Sequence, residues 1–184
     1  MAPLFMKTVL LSLKVGAGTA KTFTCLLKSA SVDAAAGDTV EYPTLSAGCT
    51  YRQLGPTIYE LHLVGVQDHD PSSSSGLSAF LDTNDGLAAS FWLQAYGEAV
   101  AAAPATPAKA GSCVIAAGSY GGEVQTFAEF DVTLPISGKP TTATTGAAPA
   151  FFEALEAGED LARFTESADQ LADAERIGAA ELAA

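Results

Sequence analysis

Along the first 140 residues the hydrophobic positions recur with a period of two. From Phe5 to Val15, the residues Phe5, Val9, Leu11, Leu13 and Val15 share one side, and Thr8, Ser12 and Lys14 share the other. That is the alternation of a strand with two unlike faces. After the turn sequence Gly16-Ala17-Gly18-Thr19, the run Lys21 to Val32 sets Phe23, Cys25 and Leu27 against Thr22, Thr24 and Lys28, which predicts a hairpin. Residues 33–56 have few apolar anchors and contain Gly37, Pro43, Gly48, Gly55 and Pro56. They predict a long loop or a weak, projecting hairpin over Thr39–Leu45 and Tyr51–Leu54. A segment this long without a core face usually has a task of its own.

A strong strand follows over Thr57 to Gln67, with Tyr59, Leu61 and Leu63 opposite Ile58, Glu60, His62, Val64 and Val66. Leu77 to Asp82 reads as a short helix, ended by the turn chemistry of Asp82-Thr83-Asn84-Asp85-Gly86. Ala88 to Tyr96 predicts another strand, residues 98–112 an Ala/Pro-rich loop, and Cys113 to Ala117 a short strand. The cleanest alternation runs from Glu123 to Ile136. There Val124, Thr126, Ala128, Phe130, Val132, Leu134 and Ile136 oppose Glu123, Gln125, Phe127, Glu129, Asp131 and Thr133. A half-apolar strand of that length belongs to an antiparallel sheet with one covered face. The predicted fold is mainly β: an antiparallel β-sandwich with one short flanking helix. It occupies residues 1–140, followed by a Pro/Thr/Gly/Ala linker over 141–149.

From residue 150 the period becomes helical. Phe151, Phe152 and Leu155 form one patch; Leu161, Phe164, Ala168 and Leu171 recur at three and four residues, with Gly158 breaking the run and Glu159–Arg163 an i,i+4 pair. Charge separates the same two regions. The chain of 184 residues carries a net charge of -12, of which residues 1–149 (12 acidic, 7 basic) hold -5 and residues 150–184 (9 acidic, 2 basic) hold -7. The prediction for 150–184 is an acidic helical extension. The acidity excludes an ordinary duplex binder, whose affinity comes from basic contacts to phosphate. At 48% hydrophobic residues, the chain is not a disordered acidic tract.

The candidate chemistry is sparse. Cys25, Cys49 and Cys113 form no Cys-x-x-Cys or Cys/His cluster, which fits a reducing compartment and no zinc site. His69 between Asp68 and Asp70 reads as a solvated turn, because adjacent residues rarely all point at one ion. Asp82 to Gly86 begins like a calcium loop, but its glycine is fifth and its twelfth position is Leu93. There is no nucleophile elbow, Walker loop or dinucleotide fingerprint. The expectation is a protein that is not an enzyme and has no cofactor. Val9 to Leu13 is too short for the core of a signal peptide, and no stretch approaches the length of a membrane span.

The order and texture of several segments resemble the major tail (tail tube) proteins of long-tailed bacteriophages. The resemblance rests on the opening strand after Met-Ala-Pro-Leu-Phe, and on Gly37-Asp38-Thr39-Val40 with Pro43-Thr44-Leu45. It rests also on Tyr59 to Asp70 (YELHLVGVQDHD), leading into GLSAFLDTNDG (Gly76 to Gly86) and then ASFWLQAYG (Ala89 to Gly97). It covers about residues 1–140, and the acidic helix beyond 149 departs from it. The resemblance implies hexameric rings stacked into a siphovirus-like tail tube, a passive channel for genome delivery. The tape measure protein and viral DNA would occupy its lumen without specific binding. It implies location in the virion tail, and in the host cytoplasm during assembly, with no membrane partner. Within that reading Glu60, Glu123, Glu129 and Asp131 are candidates to face the lumen. Asp38, Glu41, Tyr42, Tyr51 and Arg52 are candidates for a ring-stacking loop. An immunoglobulin-like adhesion or capsid-decoration module, or the tube protein of a bacterial secretion system, are the alternatives.

Overall fold

The computed structural model describes residues 9–24, 27–43, 50–68, 76–95, 101–123 and 126–157. The strands are β1 (Leu10–Val15), β2 (Lys21–Phe23), β3 (Leu27–Ala35), β4 (Thr39–Pro43), β5 (Thr50–Leu54), β6 (Ile58–Val66), β7 (Ala88–Gln94), β8 (Ala108–Val114) and β9 (Glu129–Ala143). Helix α1 spans Leu77–Thr83 and α2 spans Ala148–Ala157. Seven strands form one antiparallel sheet in the order β2-β1-β7-β8-β9-β6-β3; β4 and β5 form a separate two-stranded ribbon. The predicted mainly β, antiparallel fold with a short helix is the observed one.

The sheet is rolled, and the chain's connectivity requires it. Strands β2 and β3 lie at opposite edges, yet only residues 24–26 join them. Such a link reaches about 14 Å when extended, whereas six inter-strand spacings in a flat sheet would set the edges about 29 Å apart. The rolled sheet faces itself as the two layers of a sandwich do. Leu11 and Leu13 of β1, Phe91 of β7, Leu61 and Leu63 of β6, and Leu134 of β9 are all fully buried in one core. A seven-residue helix about 10 Å long cannot cover so many strands; α1 adds Leu77 and Leu81 to one end of that core. The Asn84 side chain and backbone N–H close α1 by donating to the Phe80 carbonyl.

Several boundaries differ from those the sequence predicts. The run Lys21 to Val32 is two strands, with β2 paired to β1 and β3 paired to β6. Residues 108–112, read as loop, belong to β8. Their small Ala108 and Ala110 are fully buried, and a side chain at Gly111 would meet Phe91. Small residues demanded by close packing look like loop composition when read alone. Strand β9 starts at Glu129, six residues later than predicted, and continues to Ala143, three residues into the expected linker at 141–149. A bulge lets it do so: Ala110 pairs Thr141 while Ser112 pairs Ser137, so β9 advances four residues against two of β8. Gly138 takes φ +78° there, a conformation that glycine adopts without strain.

Helix α2 starts at Ala148 and packs back on the outer face of β1, β7 and β8. Trp92, on the side opposite Phe91 and Leu93, meets Phe151 at a centroid distance of 5.5 Å, and Phe152 and Ala154 complete this second core. The face of β1 that reads as polar is therefore covered. Ser12 is fully buried with its hydroxyl 2.9 Å from Thr22 Oγ1, and Lys14 Nζ lies 2.8 Å from Glu156 Oε1. The helical positions predicted beyond 157, including Leu161, Phe164, Ala168 and Leu171, lie outside the described residues, as do His69 and Asp70. Phe151→Ala is expected to lower stability by about 3–5 kcal/mol, the usual range for deleting a buried aromatic ring. An unfolding free energy lowered by less than about 1 kcal/mol in a denaturant titration would show that α2 is not part of the fold's core.

Candidate functional site

Because α2 covers only the β1–β7–β8 part of the outer surface, the outer face of β3, β6 and β9 carries the exposed polar side chains. Period-two alternation turns Leu61, Leu63, Phe130, Val132 and Leu134 inward. It turns Glu60, His62, Glu129, Asp131 and Thr133 outward. Pairing register aligns them into rows: Asp33 opposite Glu60, Ser31 opposite His62 opposite Thr133, and Val66 opposite Glu129.

This face is acidic and partly neutralised. His62 Nε2 lies 2.7 Å from Asp131 Oδ1. Lys28 stands at an irregularity in the β3–β6 pairing, and its ammonium donates to Glu129 at 2.5 Å. Both pairs are solvent-exposed and contribute little to stability. Asp33 accepts a hydrogen bond from Ser31 Oγ at 2.9 Å and stands directly across from Glu60. Like charges placed opposite one another in a sheet oppose folding. A local arrangement that works against the fold points to a role outside it.

The predicted residues separate into three places. Glu60, Glu129 and Asp131 share this face. Glu123 does not: it is exposed and lies ahead of β9, which begins only at Glu129. Asp38, Glu41, Tyr42, Tyr51 and Arg52 belong to the β4–β5 ribbon and its base. Glu41 is registered opposite Arg52, with Oε1 and Nε 2.6 Å apart, and Tyr42 opposite Tyr51. The Gly55 amide closes the ribbon's base by donating to the Asp38 carbonyl at 3.0 Å. Val40 and Leu54 are 46% and 63% exposed on the ribbon.

Sequence reading missed Asp33, whose partner Glu60 is brought by non-local pairing, and it took for strand residues Ile115 to Ala117 and Glu123, which lie in the loop between β8 and β9. One residue, Gln67, ties that loop down. Its side-chain amide donates to the carbonyls of Ser119, Gly121 and Glu129 and accepts from the Gly121 amide, while its own backbone N–H donates to Ala128. Gly121 has φ +97°, so a side chain there would strain the bend. The loop presents Tyr120 and Phe127 at 84% and 83% exposure. Its position right after a strongly alternating strand is the one sequence signal that Gln67 carries.

Cys113 is buried, and desolvation pushes its thiol up to about 12, which keeps it protonated and unreactive. Among the described residues no three His, Cys, Asp or Glu side chains group to hold a metal ion, and no helix is long and apolar enough to cross a membrane.

No protein-family model and no curated protein matches the chain. Solved structures are similar to it, two of them as follows. One is the tail of an empty gene transfer agent particle, refined helically with C6 symmetry; identity is 18%, the TM-score is 0.49, and the match covers 73% of this chain and 94% of that one. The other is the virion of a native gene transfer agent particle, at 15% identity and a TM-score of 0.43, covering 72% and 94%.

Glu60→Gln removes one member of the opposed carboxylate pair and is expected to stabilise the protein by about 0.2–1 kcal/mol at low salt, with the gain shrinking as salt screens the repulsion. Urea titrations at two ionic strengths measure this; a loss of stability at low salt would contradict the opposition of Asp33 and Glu60.

Proposed function

We propose that the chain is a tail-tube subunit: copies join edge to edge into hexameric rings, the rings stack, and the β3–β6–β9 face lines the resulting channel. The observation that carries this reading is the outer edge of β3. It is nine residues long, nothing among the described residues pairs with it, and it borders the exposed acidic face. The other edge of the seven-stranded sheet, β2, has only three residues. A long unpaired edge is a template for another chain. When the β3 edge of each copy meets a different surface of the next, the contact is heterologous; copies close as a ring where the rotation between them divides a full turn, and closure leaves no copy's β3 edge free.

The channel's task is to let a polyanion pass. Basic walls would release counterions and hold phosphates. Walls bearing Asp33, Glu60, Glu129 and Asp131 repel the duplex and keep it centred over the roughly 8–10 Å at which salt leaves such fields effective. The tape measure protein and viral DNA then occupy the lumen in turn without specific binding, in the virion tail and, during assembly, in the host cytoplasm.

Negative-stain microscopy of the purified protein tests the assembly. Six-fold rings or uniform hollow tubes are the expected outcome; monomers alone across a wide range of concentration and salt would overturn it. In particles that assemble, Glu60→Lys together with Asp131→Lys is expected to slow DNA release several-fold while leaving the tubes intact. Unchanged release kinetics would remove this face from the lumen.

A further inference from the structure

We infer that His62 is a pH switch for the channel wall: adding a proton to its imidazole withdraws part of the wall's net negative charge and slows the passage of DNA. This rests on the tube reading and adds a regulation to it.

Among the described residues of the acidic face, His62 is the one imidazole, the group that gains a proton near neutral pH. It stands at the middle of β6, and charged groups surround it on all three strands. Ser31 and Thr133 are its direct neighbours across the pairing. Around them β3 carries Lys28 and Asp33, β6 itself carries Glu60, and β9 carries Glu129 and Asp131. The chain's other histidine, His69, lies outside the described residues.

The contact with Asp131 fixes how the switch works. An ionised carboxylate only accepts hydrogen bonds, so His62 Nε2, 2.7 Å from Asp131 Oδ1, carries a hydrogen in either charge state. The proton that adds goes to Nδ1. The bond to Asp131 then becomes charge-assisted in the same geometry, and no element of the sheet has to move. The change is large for so small a face. Four carboxylates (Asp33, Glu60, Glu129 and Asp131) and the Lys28 ammonium give three net negative charges where β3, β6 and β9 pair, and a charged His62 leaves two. The His62 side chain is 37% exposed beside Asp131 at 69%, so the added charge acts on the lumen over the roughly 8–10 Å that salt permits. All copies in a ring present the same imidazole, so the wall changes as a whole.

DNA release from assembled particles, followed between about pH 8 and pH 5.5 at constant ionic strength, tests this. Wild-type release is expected to slow several-fold as the pH falls. His62→Gln keeps an N–H for Asp131 but cannot charge, and His62→Thr suits an exposed strand position; both are expected to flatten the profile. His62→Lys is charged throughout and is expected to be slow at both ends of the range. His69→Gln is expected to follow the wild type. A flat wild-type profile, or His62→Gln and His62→Thr profiles that follow the wild type, would overturn the inference while leaving the tube reading standing. Wild-type protein that forms neither rings nor tubes would overturn both.

Discussion

The three-residue link between β2 and β3 is the constraint on which the rest of the structure depends. It joins the two edges of a seven-stranded sheet and so forbids a flat one. Once the sheet must roll, its inner face closes on itself, and Leu11, Leu13, Leu61, Leu63 and Leu134 bury without a second layer of helices. The outer face is then the only surface left to divide. Helix α2 takes the part over β1, β7 and β8 through Trp92, Phe151 and Phe152, and the part over β3, β6 and β9 carries the exposed acidic side chains.

That division explains why one molecule carries two kinds of polar strand face. On β1 the polar positions are structural: Ser12 bonds Thr22, and Lys14 reaches Glu156 across the covering helix. On β6 and β9 they stay in water, in ion pairs too exposed to stabilise the fold. Asp33 facing Glu60 works against stability, so the face is better understood as a surface with a task than as solvation of a core. The same roll leaves β3 as a long open edge beside that face, which puts a means of association and an acidic surface on adjoining strands.

The ends of the sheet follow similar logic. Segments that leave the sheet do so at opposite poles, and each is stiffened locally. The ribbon is stiffened by its own pairing and the Gly55–Asp38 bond, the loop by Gln67.

Much of this was legible in the residues. Period-two alternation identified β1 and β6 and the residues that share each of their sides, because side-chain direction in a strand is a local consequence of backbone geometry. Turn chemistry located the end of α1 for the same reason, and sparse apolar anchors left residues 33–56 as a long loop or a projecting hairpin, the second of which is the β4–β5 ribbon. Alternation also placed Glu60, Glu129 and Asp131 on polar strand faces. What the sequence by itself determined was therefore which way each strand faces. Only the tertiary structure decided what each face meets. The split between β2 and β3, the inclusion of Ala108 to Ser112 and Thr141 to Ala143 in strands, the burial of Ser12, the opposition of Asp33 to Glu60 and the removal of Glu123 from β9 all depend on partners distant in the chain. Pairing energy between remote strands, and the close approach of α2 to a face of small residues, leave no periodic trace in either segment alone.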